Sequence, residues 1–450
     1  MDLLAETAQR LASAKTTSAA LVDRALAKIR EPGGEGARTF LKVYDERARA
    51  AAMSADQMRK DGVLPSPLAG IPISIKDLFD VRGEATAAGS KVLADAEPAR
   101  CDAPVVARLR AAGAIIIGRT NMTEFAFSGL GINPHYGTPR NPYDRSTGRI
   151  PGGSSSGAAV SVSDGMAEVG IGTDTGGSVR IPAALCGLVG FKPTARRISR
   201  EGVLPLSGTL DSIGPIARSV ACCALVDAIM AGEPPRIPVA LPIEGLRLGV
   251  VRDYVCERLE PAVASAFERA LSILSSAGAR LMEVPFPELA RLPALNRSGG
   301  FAGSEAYAWH RKLLKERGED YDPRVAVRIA AAEGMSAADY IELFQHRAGM
   351  IARAQHVAMP YDALLMPTTA MCAPSIESLE RDDDQYARAN YAMLRNPTTI
   401  NFLDGCALSL PCHTPGEPPV GLMVAGMTDA DRRILQVGQA IEAALTVLAR

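Results

Sequence analysis

The chain has 450 residues, 47% of them hydrophobic and 22% charged, and its 49 basic and 50 acidic side chains leave a formal net charge of −1. That balance supplies no basic surface for nucleic acid or an anionic membrane, and it is the composition of a globular protein able to bury a large core. No apolar run approaches the roughly 18 residues of a membrane span, and residues 1–17 carry early acidic groups and no apolar signal-peptide segment, so a cytoplasmic protein is expected.

In chain order, Leu3, Leu4, Leu11, Leu21, Val22, Leu26 and Ile29 recur at helical spacing, interrupted near 15–18, where Thr17 or Ser18 can cap a second helix. EPGGEGA at 31–37 ends that helix, and a third amphipathic helix is expected from Asp45 to Lys60. After Pro67 the β-branched run LAGIPISIKD reads as a buried strand with Lys76 at its end. GAIIIGRTN (113–121) is a second buried strand feeding a short helix at 121–128, and 135–157, rich in Pro, Gly and Ser, is a long loop leading into the helix-prone AAVSVSD. A strand at 166–173, a helix beginning within 178–187, and the segments LVGFKPT and IGPIARS continue the alternation. LRLGVV (246–251), a helix from Glu260 to Ala277 and the strand RLMEVPF form a unit that implies a parallel or mixed sheet. Residues 299–358 are mainly helical, DALLMPTTA, CALSLPCH and PPVGLMVAG are late strands, and 429–449 is a closing amphipathic helix. No internal repeat or linker divides the chain cleanly, and AGEPPRIPVALPIEG at 231–245 is the weakest candidate boundary.

Several chemistries lack their residues. The glycine-rich stretch 151–157 has no lysine to reach a phosphate, and GIGTDTGG lacks the third glycine and the acidic partner of a dinucleotide site. Asp174-Thr175-Gly176 has no second copy with which to share a proton, as an aspartic protease requires. His135, His310, His346, His356 and His413 form no HExxH or other ligand spacing, so neither a metal nor a cofactor is expected. Cys101, Cys186, Cys222, Cys223, Cys256, Cys372, Cys406 and Cys412 make no CxxC pair and read as reduced, buried thiols rather than a disulfide framework or a zinc site.

Two Ser/Gly stretches remain, PGGSSSGAA at 151–159 and GTDTGGSVRIPA at 172–183. Together they supply hydroxyls and bare backbone amides, which acyl transfer requires. Serine chemistry without a GxSxG elbow or a well-placed histidine needs another base, and a neutral lysine can serve. Keeping Lys76 neutral near pH 8 requires roughly 3–4 kcal/mol against its ammonium form, which burial at the end of an apolar strand can supply. Gly176 and Gly177 let successive N–H groups, up to that of Ser178, point at one spot, and Gly152 and Gly153 permit unusual dihedrals before Ser154. On residue types alone a Gly/Ser loop is more often only a loop and a strand-terminal lysine is usually solvated.

The strings resemble the amidase signature family of serine hydrolases. GIPISIKD (70–77) is similar to its lysine motif, PGGSSSGAAV (151–160) to its Gly/Ser motif and GTDTGGSVRIPAALCGLVGFKPT (172–194) to its nucleophile motif, and Ser154 and Ser178 stand at the family's spacing. The resemblance implies Ser178 as nucleophile, Ser154 as a bridging serine after a non-proline cis peptide and Lys76 as base, with an oxyanion hole on the backbone amides of Thr175, Gly176, Gly177 and Ser178. Ser155 would support the hydrogen-bond network, and Asp174 and Arg180 would have structural parts. The similarity is clear over 65–220 and returns at 361–426, while 230–360 matches no motif and, in the family, helps shape the substrate pocket. Where the family commonly reads N-x-x-G-x-P, this chain has Asp404 and Cys406 in place of Gly and Pro after Asn401. Leu394 aligns with an acidic position that holds the ammonium group of glutamine in the glutamine-hydrolysing component of tRNA-dependent amidotransferases, which favours a stand-alone amidase.

The expectation is a single α/β domain over 1–450, a large mixed sheet between helical layers, made of N-terminal helices (1–62), a signature core (65–220), a variable region (230–360) and C-terminal strands and helix (361–450). It would hydrolyse a small carboxylic amide through a Ser178 acyl-enzyme, with no nucleic-acid or membrane partner. Many members of the family are dimers, so a homodimer is one expected state. Two other readings stay open: the glutamine-hydrolysing component of a tRNA-dependent amidotransferase, which would need a partner protein, and a non-catalytic module whose Gly/Ser loops bind an anion. Arg395 and Asp404 are candidates to approach the pocket, with a solvated or structural role the favoured reading for both.

Overall fold

Fully apolar strand runs dictate a sheet covered on both sides, and that is what forms. The computed structural model describes residues 3–448; Asp2 and Ala449, at the outer ends of the first and last expected helices, lie outside the described residues. Its strands are β1 (Phe40–Val43), β2 (Pro72–Lys76), β3 (Ile115–Thr120), β4 (Val169–Asp174), β5 (Val189–Lys192), β6 (Ser212–Ala217), β7 (Arg247–Val251), β8 (Arg280–Val284), β9 (Ala363–Pro367), β10 (Cys406–Pro411) and β11 (Gly421–Gly426). They pair in one mixed sheet in the order β1-β3-β2-β4-β6-β5-β10-β11-β9-β7-β8. β2 lies parallel to β3 and β4, and β7 parallel to β8 and β9; the pairs between these groups are antiparallel.

Side-chain alternation assigns the two faces. Ile73, Ile75, Val169, Ile171, Leu422 and Val424 share one core with Val226, Phe267 and Ile434 of the helices Val220–Ala231, Pro261–Ser276 and Asp431–Leu448. On the other face Leu364, Met366, Met423 and Ala425 pack with Phe301, Leu343 and Ile400, from the helices Gly300–Arg317, Ala337–Ala358 and Asp383–Phe402. Further along that face the short helices Ser156–Ser163 and Arg180–Leu185 cover Ile216 through Ala158, Val162 and Ala183. Ser74 and Lys76 alternate with Ile73 and Ile75 and so project to this second face, where Ser74 Oγ lies 2.8 Å from Ser161 Oγ.

The expected single α/β domain with helices on both sides of a mixed sheet is therefore present. The segment 231–245 does not divide it. After Gly232 caps the helix Val220–Ala231 in a left-handed conformation, the chain runs along the closing helix, where Gln436 and Gln439 side chains donate to Val239 O and Pro238 O. The sheet continues across through β7 and β9. Three features differ from expectation. The helix expected at 121–128 is a single 3-10 turn, Glu124–Ala126, because Phe125 and Ala126 take positive φ angles of 50° and 60°. A strand, β1, precedes the helix Asp45–Lys60 and forms the sheet edge beside β3. The helices Pro104–Ala111, Val220–Ala231 and Asp383–Phe402 were not expected.

Gly172 of β4 sits under the loop that carries Ser155, and a Cβ there would stand 2.5 Å from Ser155 Oγ. Gly172→Ala is expected to lower stability by about 1–3 kcal/mol through overpacking and to depress any activity well beyond that loss. Denaturant melts and assays on the same preparation check this.

Candidate active site

Three segments converge on the second face: the end of β2, the loop before the helix Ser156–Ser163, and the turn that follows β4. Lys76 and Ser154 are fully buried and Ser178 is 3% exposed. Lys76 Nζ donates to Ser154 Oγ at 2.7 Å and to Thr173 Oγ1 at 2.9 Å, and among the described residues no carboxylate lies within ion-pair distance of it. Burial disfavours the ammonium, outweighing the charges of Asp211 and Asp174, and pushes the Lys76 pKa down to about 7. About half of the amine is then unprotonated at neutral pH. The Gly153–Ser154 peptide is cis, and Ser154 O accepts from Thr123 N–H at 3.1 Å. Ser155 N–H donates to Ser178 O at 3.3 Å and Ser155 Oγ to Thr173 O at 3.4 Å, tying the two Ser/Gly stretches together. Ser178 Oγ has no hydrogen-bond partner among the described residues.

The turn 175–180 is built around Asp174. Its carboxylate accepts from Gly177 N–H (2.9 Å) and Val179 N–H (3.2 Å), from Arg180 Nη2 and Nε at 2.8 and 3.0 Å, and from Asn401 Nδ2 at 2.9 Å. Burial opposes its ionisation, but Arg180 and the hydrogen bonds prevail and hold the carboxyl well below the usual range. Arg180 Nη2 also donates to Asn401 Oδ1 at 2.6 Å. The four N–H groups expected from the resemblance to form an oxyanion hole differ in their partners. Gly177 N–H is already committed to Asp174, whereas the N–H groups of Thr175, Gly176 and Ser178 donate to no protein group among the described residues. Gly177 has a φ of 122°, a conformation that leaves glycine the suitable residue there, and a Cβ would stand 2.5 Å from Pro397 Cβ.

A cavity of about 560 Å³ adjoins this turn, lined by Tyr254, Val327, Arg328, Tyr386, Leu394 and Thr398 among others. Its inner wall meets the turn, since Thr398 Oγ1 donates to Gly176 O at 3.3 Å, and a Cβ on Gly176 would be 3.5 Å from Leu394 Cδ2. Arg324, Arg328 and Arg395 bring three guanidinium groups to the lining. Arg324 is paired with Asp383 at 2.7 Å. Arg395, read from sequence as solvated or structural, is a buried lining residue whose donors are spent on Val255 O, Glu257 O and Asn396 Oδ1. Arg328 donates to Phe127 O and lies 4.8 Å above the Phe127 ring, with no carboxylate at ion-pair distance among the described residues. Burial pushes its pKa down. Asp404 and Cys406 are not among the lining residues. Asp404 takes a left-handed φ of 55°, which accounts for glycine being the family's usual residue there.

Sequence reasoning named Leu394 and Arg395 but not Tyr386 and Thr398, because it missed the helix Asp383–Phe402 that carries all four. Pro397 inside the helix obscured it, although the N-cap Asp382, bonded to Gln385 N–H, is a legible start signal. Thr173 lies within the stretch 172–183 but is not singled out there, and Arg328 lies in the region 230–360 that matches no motif.

Comparison with known proteins agrees with this fold. The family model described as Amidase matches residues 23–435. The chain is 37% identical to a 2-amino-5-chloromuconic acid deaminase of Comamonas testosteroni, over 98% of this chain and 95% of the relative. It is 34% identical to one component of the glutamyl-tRNA(Gln) amidotransferase of Chloroflexus aggregans, over 96% and 94%. A crystal structure of an amidase matches with a TM-score of 0.88 and 34% identity, covering 98% of this chain and 99% of that one. The class is thus that of enzymes hydrolysing C–N bonds. The chain belongs to the amidase signature family.

The Asp174–Arg180 pair is fully buried. Removing the carboxylate charge by Asp174→Asn leaves the guanidinium uncompensated, so a loss of about 3–5 kcal/mol is expected. Chemical denaturation of the purified variant measures it.

Proposed function

We propose that the protein hydrolyses a small amide whose acyl part carries a carboxylate, through an acyl-enzyme on Ser178. The observation that carries this reading is a buried amine with a pKa of about 7, bonded at 2.7 Å to a serine hydroxyl beside a turn with free N–H groups. Neutral Lys76 takes the Ser154 proton as Ser154 takes that of Ser178, and Ser178 Oγ attacks the amide carbon. The oxyanion accepts from the N–H groups of Thr175, Gly176 and Ser178. The relay then returns the proton to the leaving nitrogen, the C–N bond breaks, and water attacks the ester to release the acid by the same relay. A non-catalytic anion-binding module has no use for the buried lysine.

Arg328 supports the carboxylate. It is a guanidinium at the lining of an otherwise largely apolar cavity, without a counter-ion, and a substrate carboxylate would supply one. The relative named for a muconic acid derivative is consistent with an acidic substrate. Glutamine is less well suited, because Leu394 offers its α-ammonium group no acceptor and Asp383 is already paired with Arg324.

Two outcomes test the reading. The monoamide of a short dicarboxylic acid should exceed the neutral amide of equal length in kcat/KM by about 10–100-fold, and Arg328→Met should remove that preference mainly through KM. Equal turnover of both amides would exclude the anionic substrate. With wild-type enzyme, kcat/KM should rise with pH to a plateau, with its midpoint near 7 as Lys76 loses its proton. A maximum at pH 5 would exclude lysine as the base.

A further inference from the structure

Beside Thr173 lies a second cavity, about 170 Å³, lined by Thr173, Thr175, Arg200, Leu206, Asp211 and Ser212 among others. Thr173 is the second acceptor of the Lys76 amine, and Thr175 opens the turn with the free N–H groups. Asp211 joins them. Its Oδ1 accepts from Thr175 Oγ1 at 2.5 Å, and its Oδ2 from the N–H groups of Leu206 and Ser207, each at 3.0 Å. The next residue grips the same turn, for Ser212 Oγ donates to Asp174 O at 2.9 Å. That carbonyl belongs to the peptide whose N–H is Thr175's. In a planar trans peptide the two groups point in opposite directions, so holding the carbonyl and the Thr175 side chain together aims the N–H.

We propose that Asp211 is a positioning residue for the reaction: it fixes the Thr175 peptide as an oxyanion donor and places an anionic charge on the cavity that Thr173, the hydrogen-bond partner of Lys76, also lines. This rests on the reading of Lys76 as the base. Two carboxylates act on Lys76, those of Asp211 and Asp174, and Asp174 is neutralised by Arg180 at 2.8 Å. Asp211 itself faces Arg200, whose Nη1 donates to Asp211 O at 3.3 Å and Gly208 O at 2.6 Å rather than to the carboxylate. Burial raises the pKa of Asp211, opposed by its bond from Thr175. The Asp211 charge therefore favours the Lys76 ammonium against the dominant effect of burial, so removing it would extend the neutral amine to lower pH.

The test is the pH profile of kcat/KM for amide hydrolysis in wild type, Asp211→Asn, Thr175→Val and Lys76→Ala, each first shown to be folded by its thermal transition. Asp211→Asn keeps the shape but removes the charge, so the acid limb should move to lower pH by about half to one unit, with plateau kcat reduced up to about 10-fold. Thr175→Val removes the anchored hydroxyl but keeps the charge. Its plateau kcat should fall about 10–100-fold with KM little changed and the acid limb unmoved. A folded Asp211→Asn enzyme with the wild-type acid limb overturns the proposal. Should that variant fail to fold, a wild-type plateau kcat in Thr175→Val overturns it equally. Activity surviving in Lys76→Ala would instead sink the reading of lysine as base, whereas an inactive Lys76→Ala beside a wild-type-like Asp211→Asn sinks only the inference about Asp211.

Discussion

A primary amine without a counter-ion in contact is held at the end of a strand that solvent does not reach. Water would solvate the Lys76 ammonium strongly; the end of β2 offers it two hydroxyl oxygens and two carboxylates at a distance. Depressing its pKa to about 7 corresponds to an order of 5 kcal/mol against the charged form. That cost is tolerable only within a large, well-packed core, and the surrounding architecture supplies one. β2 is buried along its length between β3 and β4, and helices cover both faces. The sheet can thus be seen as the device that makes a lysine neutral at physiological pH.

The buried Asp174–Arg180–Asn401 network has the complementary task. Asn401 lies near the end of the helix Asp383–Phe402, more than two hundred residues from Asp174, and it bonds both the carboxylate and the carbonyl of Asp174. The same helix lines the larger cavity. One network therefore locks the turn bearing Ser178 to a helix that lines this cavity, so in the proposed reaction the acyl group and the serine would be positioned by a shared rigid element. A buried ion pair of this kind adds little net stability relative to apolar packing, and its value here is geometric.

What could be read in the sequence follows from how local each signal is. Buried strands such as Ile115–Thr120 and Val169–Asp174 announce themselves as unbroken apolar runs, and the Ser/Gly stretches carry their constellation within short spans. The lysine was harder. Lys192 ends β5 much as Lys76 ends β2, and its pKa is likewise pushed down by burial, to about 8, yet its amine donates to the carbonyls of Pro193 and Gly405 and so acts as a brace. Strand pattern alone does not separate the two; their partners do. The helix Asp383–Phe402 was hidden by Pro397, and Arg328 and Asp211 become significant only when segments distant in the chain enclose a cavity.

The most direct test of the account is covalent. Wild-type protein treated with a fluorophosphonate, followed by intact mass and peptide mapping, should carry a single adduct on Ser178, forming faster as pH rises through about 7 and greatly slowed in Lys76→Ala. An adduct on another serine, or none on folded wild-type protein, would contradict it.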